Sequence, residues 1–229
     1  MKTSLFVTSL SIAAFAGSAF AQTEKKEESK PEPAAVAPAS AAVAPAASAP
    51  SEADMMKQMV ELSKMNENHK LLSSLDGNWS YAIKMWMNPD PNAKPQESKG
   101  MATRKSIMGG RYVMMDVNGR FQMPGEDGKM KEVQFKGMGL EGYDNVKKKF
   151  VGSWIDNMGT GIEFFEGDYD PGTKTFTYTG EMEPMPGMKS QVREVLKLTD
   201  NNHMTLEWYE NQGGQEKKTM EISYTRAKK

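Results

Sequence analysis

The sequence predicts an all-β fold: an antiparallel up-and-down β-barrel of about 8–10 strands, preceded by an N-terminal helix. From Gly77 onward, apolar and polar residues alternate with a period of two, the pattern of strands with one buried and one solvated face. Clusters of Gly, Pro, Asn and Asp separate these segments, and no helical period occurs between them. Strands in series favour antiparallel neighbours, and closure into a barrel removes the two free sheet edges. We therefore expect residues 76–229 to form the barrel.

Residues 1–21 have the features of a secretory signal peptide. Lys2 gives the segment a positive start, residues 5–20 are apolar, small or hydroxyl-bearing, and the small-x-small sequence AFA at 19–21 fits a cleavage site. The apolar run is shorter than the ~20 residues that cross a bilayer as a helix. No comparable run follows, so the sequence predicts no membrane span. We expect an exported protein, periplasmic or secreted, whose mature chain begins at Gln22.

Two segments separate this leader from the barrel. Residues 22–50 are charged at first and then mainly Ala, Pro and Ser, without an aromatic residue. They bury too little apolar surface to become ordered, so we predict a disordered linker. Residues 51–75 are predicted to form a helical lead-in. Ser51 can cap its start, and apolar residues recur at i, i+4 and i+7, namely Met55, Met59 and Leu62.

The stretch 139–161 concentrates Gly, Asp and Asn around a Trp, a density that fits either an active site or a hairpin. Asp144 and Asp156 both fall at turns, where a short carboxylate accepts hydrogen bonds from the backbone nearby. The apolar residues between them alternate as in a strand. We therefore interpret this stretch as strand, turn, strand and turn.

Ordered motifs give the chain a resemblance to a known family. The segments ENHKLL, GGRYV, GLEGYDNVKKKFVGSWIDNMGTG, GDYD, VREV and MEISYTR occur in this order across residues 67–226. They resemble the bacterial domain-of-unknown-function family numbered 1579. That family has no established activity, so the resemblance implies a barrel and no mechanism.

A second resemblance concerns closure of the barrel. Gly77-Asn78-Trp79 is similar to the Gly-x-Trp that opens the first strand of lipocalin-like (calycin) barrels after a short helix. The resemblance implies that a basic residue of the last strand covers the Trp ring. Arg226, at the end of MEISYTR, is in position for that role. We expect Gly77, Trp79 and Arg226 to join the first strand to the last.

The sequence offers no catalytic constellation, and it predicts no cofactor. The chain has no Cys, which also excludes disulfides, and Ser153 lies within a predicted strand rather than at a nucleophile elbow. The two His, His69 and His203, fall near a helix end and a strand start. Carboxylates at Glu163 and Glu166, with others nearby, are expected on solvated strand faces and turns. An enzyme is therefore not the favoured interpretation.

The predicted barrel interior suggests a ligand site instead. A barrel of about eight strands or more can hold a small molecule. An inward Arg193 would favour an anionic head group. The alternative is a filled barrel that acts as a structural or interaction module. The candidate ligand-binding residues are Tyr81, Ile83, Met85, Phe176, Tyr178, Arg193, Leu206, Trp208 and Tyr224.

Methionine is the main compositional anomaly, with 20 in the chain. Met182, Met185 and Met188 have the spacing Met-x-x-Met-x-x-Met, and thioethers are soft ligands that suit Cu(I). Copper handling is therefore an alternative function, with packing as the simpler explanation. The formal net charge is −1, so no basic field predicts nucleic acid as a partner. A small apolar or amphiphilic molecule is the expected partner, and the sequence does not predict an oligomeric state.

Overall fold

The computed structural model describes residues 50–86, 92–212 and 214–228. The predicted signal peptide, and all of the predicted linker except its last residue, lie outside these ranges. No helix in the described ranges is both long and apolar enough to cross a bilayer.

Two short helices precede the strands. In α1 (Glu52–Leu62), the Ser51 side chain caps the first turn by accepting a hydrogen bond from the Asp54 amide, and no residue is buried. This helix belongs to a different compact unit from α2 and the barrel. In α2 (Glu67–Ser73), the side chains of Asn66 and His69 satisfy each other's backbone amides as a capping box.

Ten strands follow, each antiparallel to its neighbours in sequence. The last strand also pairs with the first, Trp79 opposite Arg226, so the sheet closes. The all-β, up-and-down barrel that the alternation predicts is confirmed, at the upper end of the expected strand number. The strands are β1 (Gly77–Met85), β2 (Gln96–Ile107), β3 (Tyr112–Pro124), β4 (Met130–Asp144), β5 (Lys149–Asp156), β6 (Glu163–Asp170), β7 (Thr175–Met185), β8 (Met188–Leu198), β9 (His203–Gln212) and β10 (Gln215–Arg226).

Alternation in the sequence becomes the inner and outer face of the wall. In β1 every second residue from Trp79 to Met85 is buried and the residues between them are exposed. The stretch 139–161 forms the end of β4, a turn, β5 and the turn that follows, as its Asp positions indicate. There Asp144 accepts hydrogen bonds from the Val146 and Lys147 amides.

The two ends of the barrel differ. At one end, which we call the base, α2 packs against β3 and β4, and Leu72 and Leu75 are buried in the core. The Trp79 indole N–H donates to the Leu75 carbonyl at 3.1 Å, which ties the first strand to this plug. At the other end, which we call the mouth, the strands β1, β3, β5, β7 and β9 finish.

Candidate functional site

The barrel encloses a cavity of about 190 Å³ whose wall includes residues from all ten strands. Most of the wall is apolar. Seven of the nine candidate residues lie on it, because the strand period turns them inward: Tyr81, Ile83, Met85, Tyr178, Leu206, Trp208 and Tyr224.

The other two candidates lie elsewhere. Phe176 is 0% exposed and packs edge-to-face on Phe150 with ring centroids 5.0 Å apart, so it belongs to the aromatic core and not to the cavity wall. Arg193 lies on the outer face, where its guanidinium donates to both carboxylate oxygens of Glu216 at 2.7 and 2.6 Å. It also covers the Tyr209 ring at 4.1 Å. Arg193 therefore does not provide an anion site in the cavity.

A buried ion pair is the first feature of the cavity that sequence reasoning missed. Arg104 is only 3% exposed, and its two terminal nitrogens donate to the two oxygens of Glu141 at 2.9 and 2.5 Å. Burial alone would lower the pKa of Arg104, but the charge and hydrogen bonds of Glu141 raise it overall. The Arg104 Nε–H is buried and has no acceptor among the described residues. The guanidinium is therefore charged, and its two terminal nitrogens already bind a carboxylate.

Two further carboxyl groups, Glu194 and Glu163, line the cavity. Burial raises the pKa of Glu194 to about 8, with Glu141 adding to the rise and Arg104 opposing it. Burial and the nearby Asp156 raise the pKa of Glu163 to about 7. No hydrogen bond or ion pair between described residues involves either carboxyl group. The cavity therefore contains two unpartnered acids.

Glu163 corrects the expectation that the acidic residues of this segment all lie on solvated faces. In β6 the inward face includes Glu163 and Phe165, whereas Glu166 lies outward and pairs with Lys147. Glu163 is half-buried because it lies two residues before a core phenylalanine. The solvated-face expectation describes Glu166 correctly and fails for Glu163.

Asp156, at the end of β5, also borders the cavity but is fully bonded. It accepts hydrogen bonds from the Trp154 indole at 3.0 Å and from the amides of Met158 and Gly159 at 2.8 and 3.2 Å. Its carboxylate thus fixes both the turn and a ring on the cavity wall. It lies close enough to Glu163 to contribute to the raised pKa of that carboxyl group.

Three phenol groups, those of Tyr81, Tyr178 and Tyr224, also line the cavity. Burial raises the pKa of each above its ordinary value, so all three hydroxyls stay protonated at neutral pH. Tyr81 lies directly over two glycines: a Cβ atom on Gly119 would lie 2.2 Å from its hydroxyl oxygen, and one on Gly100 would lie 2.4 Å away. Small residues at these two positions leave room for the phenol.

The methionine spacing does not gather three sulfur atoms on one surface. Met182 is buried and lines the cavity, whereas Met185 and Met188 are exposed and face each other across the β7–β8 hairpin. The histidines lie away from the cavity wall, His69 in the cap of α2 and His203 on the surface beside Asp200. Within the described ranges, no three His, Asp or Glu residues are grouped to hold a metal ion.

Comparison with known proteins places the chain in a family. No functionally curated protein matches it. Among solved structures, the crystal structure of Rv2717c from M. tuberculosis is similar, with a TM-score of 0.47 at 14% identity, over 72% of this chain and 100% of that chain. The model of the family described as "Protein of unknown function (DUF1579)" matches residues 64–226. The chain therefore belongs to the DUF1579 family.

Proposed function

We propose that this protein binds a small, mainly apolar molecule inside its barrel and that it does so after export from the cytoplasm. The observation that carries the proposal is an unfilled interior faced by two unpartnered carboxyl groups and an ion pair. A barrel that only needs to be stable gains little from such groups. Buried charges cost free energy to desolvate, and apolar replacements are often as stable or more stable. Polar groups around a cavity are therefore better explained by a ligand.

The volume limits the size of the ligand. A cavity of about 150 Å³ lined by apolar side chains holds benzene, and drug-sized ligands need about 300 Å³ or more. At about 190 Å³, this cavity suits a molecule close in size to a substituted benzene ring. Lipids with long chains and large macrocycles do not fit without movement of the wall.

A substitution that fills the cavity tests the proposal. Gly152 borders the cavity, and a Cβ atom there would contact only Leu140 O and Glu141 Cγ, at 3.7 and 4.0 Å, so Gly152→Leu places its side chain inside without a backbone clash. Gly161→Leu adds the same side chain in an exposed turn with nothing within 4 Å, and serves as the control. We expect 3-phenylpropanol to bind the wild type and Gly161→Leu saturably, measured by calorimetry, and to bind Gly152→Leu at least about tenfold more weakly. Equal affinities for all three proteins would overturn the proposal, and so would a wild type that binds neither this alcohol nor an amine of the same size saturably.

The export part of the proposal rests on residues 1–21 alone. We expect the protein isolated from a bacterium that expresses the full chain to start at Gln22, as N-terminal sequencing would show. An intact Met1 on protein from the cytoplasmic fraction would contradict export.

A further inference from the structure

Four of the charged or titratable side chains that line the cavity come from alternate strands. Arg104 is on β2, Glu141 on β4, Glu163 on β6 and Glu194 on β8. Arg104, Glu141 and Glu163 all act electrostatically on Glu194, so the four groups share one region of the interior. One cation and three carboxyl groups therefore line this part of the cavity, and the cation is hydrogen-bonded to only one of the three carboxyl groups.

From this arrangement we propose that the ligand carries a protonated amine, which the Glu194 and Glu163 carboxylates bind while its apolar body fills the cavity. This inference rests on the proposed function and names the chemical class of its ligand. It gives the unpartnered carboxyl groups their missing donor, since an ammonium group has three N–H donors and no acceptor.

An anionic ligand fits the same cavity poorly. The Arg104 fork already holds both oxygens of Glu141, so a second carboxylate would have to break that pair or share it. At pH 8.5 it would also meet the ionised Glu194 and Glu163 carboxylates, and like charges at short range in a buried site repel strongly. Arg120 at the mouth does not change this balance, because its side chain is largely exposed and pairs with Glu132 at 3.3 Å.

The apolar part of the wall suits a cation with an aromatic or short alkyl body. The rings of Phe165 and Trp208 pack edge-to-face with centroids 5.6 Å apart, and Trp154 faces the cavity beside Glu163. An indole face attracts a cation by about 0.5–2 kcal/mol. The carboxyl groups and the rings therefore favour the same ligand.

Binding should be coupled to proton release. In the empty barrel burial raises the pKa of Glu194 to about 8 and that of Glu163 to about 7, so at pH 6 both are mainly protonated and neutral. An ammonium group stabilises their charged forms and lowers both values. Asp156 and Glu141 also face the site, and the phenols of Tyr81, Tyr178 and Tyr224 stay protonated. Amine affinity should therefore rise between pH 6 and pH 8.5, where an alkylamine with a pKa of about 10 keeps its proton.

Three probes of nearly equal size separate charge from shape: 3-phenylpropylamine, 3-phenylpropanol and 3-phenylpropanoate. We expect calorimetry at pH 8.5 to show the amine binding at least about tenfold more tightly than the alcohol, the value of one charged hydrogen bond, and the carboxylate binding most weakly. The double variant Glu194→Gln/Glu163→Gln should lose that advantage while alcohol binding changes less than about threefold. Glu166→Gln, an outward carboxylate on the same strand as Glu163, is the control and should behave as wild type.

The outcomes distinguish this inference from the proposed function. If the alcohol or the carboxylate binds as tightly as the amine, the amine class is wrong and the barrel is still a binding protein. If the amine advantage survives in the double variant, the assignment of the two carboxyl groups is wrong. If none of the three binds saturably, both proposals fail. Thermal unfolding of each variant, run beside the titrations, shows that the protein tested is folded.

Discussion

A Cβ atom on Gly77 would lie 2.6 Å from Nη1 of Arg226, so the arginine of the last strand occupies the space that any other residue would need at the start of the first. The same guanidinium lies 4.2 Å from the centroid of the Trp79 ring. It also donates to the Asp76 carbonyl and, at 3.2 Å, to the Ser74 carbonyl at the end of α2. One side chain therefore joins the first strand, the last strand and the helix that closes the base.

Gly77→Ala should destabilise the barrel because it adds a clash to an unfavourable backbone conformation. Gly77 has a φ of +141°, and its Cβ would collide with Arg226. We expect the free energy of unfolding to fall by about 2–3 kcal/mol in urea. Gly187→Ala is the control, since its φ is +80° with nothing within 4 Å of the new atom, and it should lose only about 1 kcal/mol. Equal losses in the two variants would show that Arg226 does not constrain position 77.

Arg226→Lys tests whether the guanidinium, rather than its charge, holds the closure. Lysine keeps the charge but cannot donate to Ser74, Asp76 and Asn201 while stacking flat on Trp79. We expect a loss of about 1–2 kcal/mol in the free energy of unfolding. Arg120→Lys, at an exposed arginine with a single 3.3 Å bond to Glu132, should lose less than about 0.5 kcal/mol. A wild-type midpoint for Arg226→Lys would contradict this role.

Glu141→Gln should be strongly destabilising because it leaves the buried Arg104 charge without a counter-charge. Removing one partner of a buried pair costs about 3–5 kcal/mol, and Arg104 is 3% exposed. The double variant Arg104→Met/Glu141→Gln removes both charges, and we expect it to recover most of the loss. Chemical denaturation of Glu141→Gln, Arg104→Met and the double variant gives the three free energies of unfolding that a double-mutant cycle compares with the wild type. Additive losses would mean that the two side chains do not depend on each other.

The wall of the barrel could be predicted from the sequence because it is encoded by simple alternation. The polar interior could not be predicted, because a charged residue in the sequence of a strand gives no sign of whether it faces the interior or the solvent. In β6, Phe164 is 67% exposed and its neighbour Phe165 is buried, so the sequence does not set the phase that turns Glu163 inward. Around Arg104, the inward residues of β2 are small, and no bulky apolar residue marks the inner face; they are Ser98, Gly100, Ala102 and Ser106.

In β8 the sequence does contain a pattern that predicts an inward carboxyl group. Val192 and Leu196 are both buried, and a period of two places Glu194 between them on the same face. Arg193, one residue earlier, lies on the opposite, outer face. Strand geometry also explains the methionines: residues three apart in a strand lie on opposite faces, so Met182 and Met185 cannot converge as they would on a helix.

Stability should depend on pH through Glu194. Its pKa rises from 4.5 when exposed to about 8 in the folded barrel, so between these values the folded state binds more protons than the unfolded state. The free energy of unfolding therefore decreases as pH rises from 4.5 to 8, and this contribution levels off above pH 8. Glu194→Gln removes the titration, so its advantage over wild type should grow across this window by on the order of 5 kcal/mol.

Urea denaturation at intervals between pH 4.5 and pH 9 measures the slope for each protein. The comparison uses slopes because an uncharged glutamine adds an offset that is the same at every pH. Glu166→Gln, whose carboxylate is outward and half exposed, should keep the wild-type slope. Glu163, with a pKa of about 7, contributes the remaining decline between pH 4.5 and pH 7 in both Glu194→Gln and wild type. If the curves of Glu194→Gln and wild type run parallel through pH 8, the Glu194 carboxyl group is not buried in the barrel, and the acidic cavity loses its central residue.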